Sequence, residues 1–266
     1  MDTWLSNSIR ESMGGPPRDP SRAALERLAI PVEYASGESI YRCNEPIEHW
    51  YRVVAGAARK SAVTGDGRRH VADFFLPGDF FGYSAPCSDR FCVEAILPRT
   101  LIRHYPRQVA EKLADSDPQI AHSIRECAFK AIVRLQWRTV TLACASALEK
   151  VSAFLLEMAD RSHGAQTDTV FLPMSRYDIA DYLGMAVETV SRTLTELAER
   201  DAIAFRSVRE VRISDRIALE AFAAGMTQLR PSSIASGRGA SHSIPSRAGT
   251  LKNSANRKDP VGARQC

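Results

Sequence analysis

The sequence lacks any apolar run near the roughly 18 residues that a membrane-spanning helix needs, which excludes a conventional membrane protein. Its first residues lack a basic segment followed by an apolar one, so we expect no secretory signal and a cytoplasmic location. None of the six cysteines forms a C-x-x-C pair, and we expect no metal site. A P-loop, a nucleophile paired with a base and metal-type His/Cys spacing are also missing, so the sequence does not predict an enzyme.

The sequence lacks net positive charge outside the C-terminal end of the chain. The whole sequence has a net charge of +4, but residues 230–266 hold seven basic side chains and one acidic side chain. The other residues hold 28 basic and 30 acidic side chains, so a case for nucleic-acid binding must rest on where the charges lie. Residues 229–266 lack apolar periodicity and predict a disordered basic tail, which would either strengthen non-specific DNA association or be inert. Residues 1–24 predict a flexible arm.

Residues 25–106 have the composition of a small antiparallel β structure. Short runs rich in Val, Ile, Phe and Tyr alternate with Gly and Pro, as in 50–54, 71–75 and 100–105. The segment Gly65-Asp66-Gly67 is typical of a hairpin turn, because glycine tolerates a positive φ. Many short strands with regular turns predict a small barrel or roll.

Residues 107–145 predict helices, because the segment has no glycine and Asp117-Pro118 is typical of a helix start. A heptad-like seam follows, formed by Ala121, Ile124, Ala128, Ala131 and Leu135. Such a seam favours a symmetric dimer helix, although the same face could pack on the chain's own core. A second apolar side, which could face the β domain, is formed by Ile120, Cys127, Ile132 and Val133.

Residues 146–228 contain the most informative segment. A helix is predicted near 148–159, and Ser175 with Asp178 three residues later is typical of a helix N-terminus. That second helix would end at Gly184, and another would begin near Val187. Its buried face would consist of Val190, Leu194 and Leu197. Two short helices joined by a three-residue turn with a glycine predict a helix-turn-helix.

The second helix of such a motif enters the DNA major groove with its first turns. Here those turns would expose Glu188, Thr189, Ser191 and Arg192. Arginine donates two hydrogen bonds to guanine O6 and N7, and a carboxylate accepts one from cytosine N4. The alternative is a Glu188–Arg192 pair on a solvated helix surface, which the same spacing allows.

Residues 202–213 predict a β-hairpin with arginines at its tip, the wing of a winged helix. Arg206 and Arg209 could touch phosphates, which position a protein without reading the sequence. A solvated turn without such contacts is the alternative.

In combination these motifs resemble the cyclic-AMP receptor protein/fumarate-nitrate reduction regulator (CRP/FNR) superfamily, most closely its FixK-like branch. The resemblance covers roughly residues 25 to 225 and includes Gly37-Glu38, Tyr51-x-Val53-x-x-Gly56 and Leu76-Pro77-Gly78-Asp79-Phe80-Phe81-Gly82. Its most specific part is Met174-Ser175-Arg176-x-Asp178-Ile179-Ala180-x-Tyr182-Leu183-Gly184 running into Val187-Glu188-Thr189-Val190-Ser191-Arg192. The resemblance implies an α+β fold: a double-stranded β-roll over 25–106, a dimerisation helix region over 107–145 and a winged helix-turn-helix over 146–228.

The resemblance also implies a homodimeric transcriptional regulator whose partners are double-stranded DNA and RNA polymerase. Base contacts are expected from Glu188, Ser191 and Arg192. Backbone contacts are expected from Ser175, Arg176, Thr189, Thr193, Arg206 and Arg209. Val187 stands where cyclic-AMP-type members carry an arginine, which implies a TTGA-N6-TCAA-like palindrome. Two departures from the family pattern are Ala186, where a hydroxyl residue often caps the recognition helix, and Asp201, where a glycine is common.

No cofactor is expected from these residues. Asp89 and Arg90 stand where cyclic-AMP-type members carry an Arg-Ser pair, and an acid facing a phosphate is unfavourable. Residues 1–42 hold no cysteine, which speaks against the [4Fe–4S] cluster of oxygen-sensing relatives. The alternative function is an effector-gated regulator that binds an unidentified small molecule or haem in the roll, where His49, His70 and His104 are available.

Cys87 and Cys92 are the candidate redox residues. Arg90 lies between them, and a nearby cation lowers the pKa of a thiol and favours the reactive thiolate. The alternative is that all the thiols are unreactive in a reducing cytosol.

Overall fold

The computed structural model describes residues 25–83, 90–144, 146–161 and 168–224, and all of them belong to one compact unit. The arm predicted over 1–24 and the tail predicted over 229–266 lie outside the described residues. So do Cys87 and Asp89.

The N-terminal part folds into eight strands: β1 (Ile30–Tyr34), β2 (Ser39–Tyr41), β3 (His49–Ala55), β4 (Ala58–Val63), β5 (Arg69–Phe75), β6 (Phe80–Phe81), β7 (Cys92–Ala95) and β8 (Thr100–Pro106). They pair antiparallel in two four-stranded sheets, in the orders β1-β8-β3-β6 and β2-β7-β4-β5. Side chains alternate between the two faces of each strand, so Ile102 is fully buried while the adjacent Arg103 pairs with Glu26. The predicted turn at Gly65-Asp66-Gly67 is confirmed as the β4–β5 connection.

Two helices follow the roll, α1 (Arg107–Ser116) and α2 (Pro118–Cys144). The predicted helix start is confirmed, because the Asp117 carboxylate accepts a hydrogen bond from the Gln119 amide at 2.9 Å. Asp79, from the Leu76–Gly82 motif, accepts from Arg134 of α2 at 3.2 Å. This contact fixes α2 along the roll.

The two apolar faces of α2 differ from the prediction in part. Ile120 is buried and the half-buried Ile124 packs against the cluster of Trp50 and Tyr105, so Ile124 of the predicted seam contacts the roll. Ile132, which we expected on the roll side, is instead 49% exposed. We call the exposed apolar residues of α2 the α2 stripe: Phe129, Ile132, Leu135 and Leu142. Leu135 of the predicted seam belongs to this exposed set, and so does Ile132.

The C-terminal part consists of α3 (Ala147–Arg161), β9 (Thr169–Phe171), α4 (Arg176–Leu183), α5 (Val187–Glu199), β10 (Ile203–Phe205), β11 (Glu210–Ile213) and α6 (Arg216–Phe222). The three strands form one antiparallel sheet in the order β10-β11-β9. The helix predicted near 148–159 is confirmed as α3, whose Val151, Phe154 and Leu155 are buried against α4 and α5. The fold is therefore α+β, with a β-roll, a long helix and a winged helix-turn-helix, as predicted.

Candidate DNA-binding surface

The first helix of the helix-turn-helix begins and ends where the sequence predicts. The Ser175 hydroxyl accepts from the Asp178 amide at 3.1 Å, and the Asp178 carboxylate accepts from the Ser175 amide at 3.1 Å. These reciprocal bonds form a capping box, which satisfies two backbone donors at the start of α4. Gly184 ends the helix in the left-handed conformation, with φ +61°. The turn that follows directs the chain into α5.

Helix α5 presents one apolar and one polar face. Val190, Leu194 and Leu197 are buried, as predicted, and anchor α5 on the domain core. Because positions 188, 191 and 192 lie on the other side of the helix, Glu188, Ser191 and Arg192 are all exposed. As expected from Ala186, no side chain caps the start of α5. The first backbone amides of α5 therefore donate no hydrogen bond to a capping side chain.

The charged side chains in the first turns of α5 are not engaged in ion pairs with any described residue. Among the residues that the structure describes, neither Glu188 nor Arg192 forms an ion pair, so the alternative of an intrahelical Glu188–Arg192 pair is not realised. Ser191 donates its hydroxyl hydrogen to the Val187 carbonyl at 2.9 Å, and its oxygen keeps the capacity to accept. The face therefore offers a carboxylate, a hydroxyl and a guanidinium within two turns.

The predicted backbone contacts fall into three groups. Ser175 and Arg206 are exposed, while Arg176 and Thr189 are half-buried. The Arg176 guanidinium lies 5.7 Å from the centre of the Phe205 ring, which connects the start of α4 to the wing. Thr193 is only 5% exposed, because it points towards the domain core. A direct phosphate contact by Thr193 is therefore inconsistent with this structure.

The wing is the connection between β10 and β11. Arg209 donates to the Pro173 carbonyl at 3.1 Å and is half-buried, so its guanidinium is already engaged within the domain. Arg206 is the more accessible arginine at the wing tip. Asp201, which stands where the resemblance implies a glycine, adopts φ +58° just before β10. The backbone there takes the left-handed conformation that favours glycine.

Aromatic side chains fill the space between the two sheets of the roll. The rings of Phe75 and Phe81 stack with centroids 4.3 Å apart, and Tyr51 stacks on Phe81 at 5.1 Å. Tyr41 lies 5.5 Å from Tyr51 by the same measure. Arg90, the one described residue of the pair expected at a cyclic-nucleotide phosphate, is exposed. The interior between the two sheets is therefore occupied by aromatic rings.

Two histidines border this aromatic cluster. The Tyr34 hydroxyl and His104 Nε2 are 3.0 Å apart, and the ring of His104 lies 5.6 Å from that of His49. Burial, together with the smaller effect of nearby His49, lowers the pKa of His104 to about 4. His104 is therefore neutral at pH 7 and engaged with Tyr34. In the described part of the chain, no group of three or more His, Cys, Asp or Glu residues is arranged to hold a metal ion.

The pKa of the Cys92 thiol is shifted in the direction opposite to the one that the redox hypothesis expects. Burial raises its pKa, and the adjacent Cys43 thiol raises it further. Its Sγ donates to the Ser61 carbonyl at 3.5 Å. The predicted lowering of the thiol pKa by Arg90 is therefore wrong for Cys92, because Arg90 is exposed and the thiol is half-buried.

None of the described helices is both long enough and apolar enough to cross a bilayer.

Comparison with known protein families agrees with this architecture. Residues 31–117 match a cyclic nucleotide-binding domain, and residues 149–222 match a Crp-like helix-turn-helix domain. Nitrogen fixation regulation protein FixK of Azorhizobium caulinodans is 40% identical over 195 residues, which cover 72% of this chain and 78% of FixK. Transcriptional activatory protein AadR of Rhodopseudomonas palustris is 35% identical over 202 residues, which cover 75% of this chain and 84% of AadR.

A solved structure of a FixK protein has a similar fold. FixK2 from Bradyrhizobium japonicum is similar with a TM-score of 0.68 and 37% identity, over 73% of this chain and 96% of that chain. Most signals that carried the resemblance, from the Leu76–Gly82 motif to the Ser175–Arg192 segment, lie inside the two matched regions. The chain belongs to the CRP/FNR family of DNA-binding transcriptional regulators.

Proposed function

We propose that this protein is a homodimer that reads a TTGA-N6-TCAA-like palindrome through Glu188, Ser191 and Arg192. The observation that carries the proposal is the exposed polar face of α5, on which none of the three side chains is buried. Arg192 supplies the bidentate donor for guanine, and Glu188 is placed one turn earlier to accept from a cytosine amino group. Val187 in place of an arginine favours the TTGA half-site.

The second copy is proposed to bind at the α2 stripe. Phe129, Ile132 and Leu135 are 62%, 49% and 51% exposed in the isolated chain, and water-exposed apolar area of this kind is characteristic of an interface. Ile132 and Leu135 are one helical turn apart, which suits a parallel pair of helices. The twofold axis of such a dimer would place its two recognition helices in successive major grooves of the DNA, roughly 34 Å apart.

The protein is further proposed to act without a cofactor. The stacked rings of Phe75, Phe81 and Tyr51 occupy the roll, and the pairing of His104 with Tyr34 leaves that imidazole engaged. An absorbance spectrum and a native mass of the purified dimer test this proposal. A spectrum without visible bands and a mass equal to two chains support it, whereas a haem band or additional mass would establish the effector-gated alternative.

We propose transcription activation in the cytoplasm, with RNA polymerase as the protein partner. The direction of regulation is taken from AadR, which is a transcriptional activatory protein, and the location from the need to reach DNA. In vitro transcription from a promoter carrying the palindrome tests it. Added protein should raise transcript yield, and a decrease would indicate repression.

The palindrome itself is tested by titration. The protein should bind TTGA-N6-TCAA more tightly than the same half-sites separated by about 5 additional base pairs, because that insertion turns one half-site to the opposite face of the DNA. It should also bind TTGA half-sites more tightly than GTGA half-sites. Equal affinity for the two spacings would refute the symmetric dimer, and a GTGA preference would refute the assignment from Val187.

A further inference from the structure

We propose that Arg59 and Arg69 of the β-roll are positioning residues for DNA binding, because they pair with Asp178 and Asp181 of α4. Arg59 Nη1 lies 2.8 Å from Asp178 Oδ1, and Arg69 Nη2 lies 2.7 Å from the same oxygen. Arg69 Nη2 also lies 3.0 Å from Asp181 Oδ2. Two strands of the roll thus bind the first helix of the helix-turn-helix, and we call this set of four residues the roll–α4 clamp.

Asp178 has a second role at the same position. Its Oδ2 atom accepts from the amide and the hydroxyl of Ser175, at 3.1 and 2.7 Å, while its Oδ1 atom accepts from both arginines. The side chain is only 5% exposed, so water does not replace either set of partners. One carboxylate therefore caps the N-terminus of α4 and also binds that end of the helix to the roll.

The arginines are themselves held in place. Arg59 pairs with Glu94 of β7 at 2.8 Å, and the two residues are direct cross-strand partners in the sheet. Its guanidinium is consequently oriented by the roll whether or not α4 is present. Arg69 has no such second partner among the described residues apart from the two aspartates, so its contacts depend on α4.

A third arginine supports the same arrangement from α2. Arg138 donates to the carbonyls of Val71 and Ala72 on β5 and to the Tyr182 carbonyl on α4. Its guanidinium also lies over the Tyr182 ring, 4.5 Å from the centroid. The end of α4 distant from Ser175 is therefore fixed as well, and α4 is held at both ends.

The position of α4 determines that of α5. The buried Leu183 and the turn at Gly184 join the two helices, so a rotation of α4 carries the reading face of α5 with it. Tyr182 packs against Phe74, and the paired charges add contacts of defined direction to this apolar packing. The inference rests on the proposed palindrome, because only a two-site target requires both α5 helices at a set separation.

The test is a charge-reversal cycle in the full-length protein. Arg69→Glu and Asp181→Arg should each weaken binding to the palindrome by about tenfold. The double variant should regain the part of that loss that belongs to the pair between positions 69 and 181, because Asp178 still faces a carboxylate at position 69. Both exchanged side chains are one-third exposed, so each new charge stands at a partly solvated position. Affinity for DNA with one half-site should stay near the wild-type value, because the reading face of α5 is unchanged.

Arg68→Glu is the matched control. Arg68 precedes Arg69 on the same hairpin, its side chain is 79% exposed, and it pairs with Asp66 rather than with α4. It changes the net charge by the same amount, so it should leave palindrome affinity near wild type. An equal loss in Arg68→Glu and Arg69→Glu would show a general electrostatic effect on DNA and would overturn the clamp.

A second measurement is independent of DNA. In the free protein, hydrogen exchange of the α4 amides should become faster in each single variant and slow again in the double variant. Failure of the double variant to restore either affinity or protection would overturn the proposal, as would tighter palindrome binding by Arg69→Glu. If the wild type fails to prefer the palindrome while exchange still follows the cycle, the proposed target is wrong and the clamp stands.

Discussion

Gly56 lies so close to Thr100 that a β-carbon at position 56 would stand 2.4 Å from the Thr100 hydroxyl oxygen and 2.7 Å from its Cα. Gly56 also has φ +83°, a conformation that other residues adopt at a cost. Thr100 cannot move away easily, because it is fully buried and donates to the Leu97 carbonyl at 2.7 Å. The close approach joins the end of β3 to the start of β8.

Gly56→Ala should therefore destabilise the protein by at least about 1–3 kcal/mol, the cost of strained backbone before the clash is counted. Urea denaturation measures the free energy of unfolding directly. Gly65→Ala is the control, since a β-carbon there meets no atom within 4 Å. Similar stabilities for the two variants would show that the Gly56–Thr100 approach relaxes without cost.

The α2 stripe predicts the oligomeric state. Ile132→Asp or Leu135→Asp should convert the dimer to monomers, because each places a charge at the proposed interface without a partner. The control is Lys130→Glu, since two residues along a helix rotate the side chain by about 200° to the opposite side. Light scattering gives the mass. Dimers in all three variants would place the interface elsewhere.

Acid should destabilise the roll through His104. Its pKa is about 4 in the folded protein against an ordinary value of 6.5, so the unfolded chain binds more protons between these values. The free energy of unfolding should therefore be fully retained above pH 6.5 and fall as the pH drops towards 4. His104→Gln should flatten this slope. His122→Gln, at an imidazole 69% exposed on α2, should leave it unchanged, and equal slopes in wild type and His104→Gln would contradict the account.

Mild peroxide should not change DNA affinity through Cys92. Since burial raises the pKa of this thiol, little thiolate is present at pH 7. Mass spectrometry after brief alkylation should find Cys92 labelled more slowly than the exposed Cys43. A loss of affinity after peroxide that Cys87→Ser/Cys92→Ser abolishes would restore the redox hypothesis.

The sequence predicted best where local chemistry decides the structure. Ser175, Asp178 and Gly184 mark the ends of α4 through contacts with near neighbours, so the helix-turn-helix was visible before any tertiary contact was known. Helix α2 was harder, because Ile124 and Ile132 both follow apolar periodicity. Only the packing of Ile124 on Trp50 and Tyr105 shows which face meets the roll.

Contacts between distant segments could not be predicted. Arg59 and Asp178 are 119 residues apart in sequence, and nothing near either residue indicates the other. The predicted phosphate contact of Thr193 disagrees with the structure for a related reason. The resemblance assigned a role to this position, whereas the burial of its side chain depends on the packing of the whole domain. The redox expectation for Cys92 failed because a nearby arginine in sequence is not a nearby charge in space.

The measurement that tests the account most directly combines Arg192→Ala with single base changes in the half-site. Arg192→Ala should weaken binding to the TTGA-N6-TCAA palindrome by about 1–3 kcal/mol and abolish discrimination at the guanine position alone. Replacing that guanine should cost the wild type a similar amount and cost Arg192→Ala almost nothing. If Arg192→Ala weakens binding equally to the palindrome, to the altered palindrome and to random DNA, Arg192 contacts phosphate and the proposed reading face is wrong.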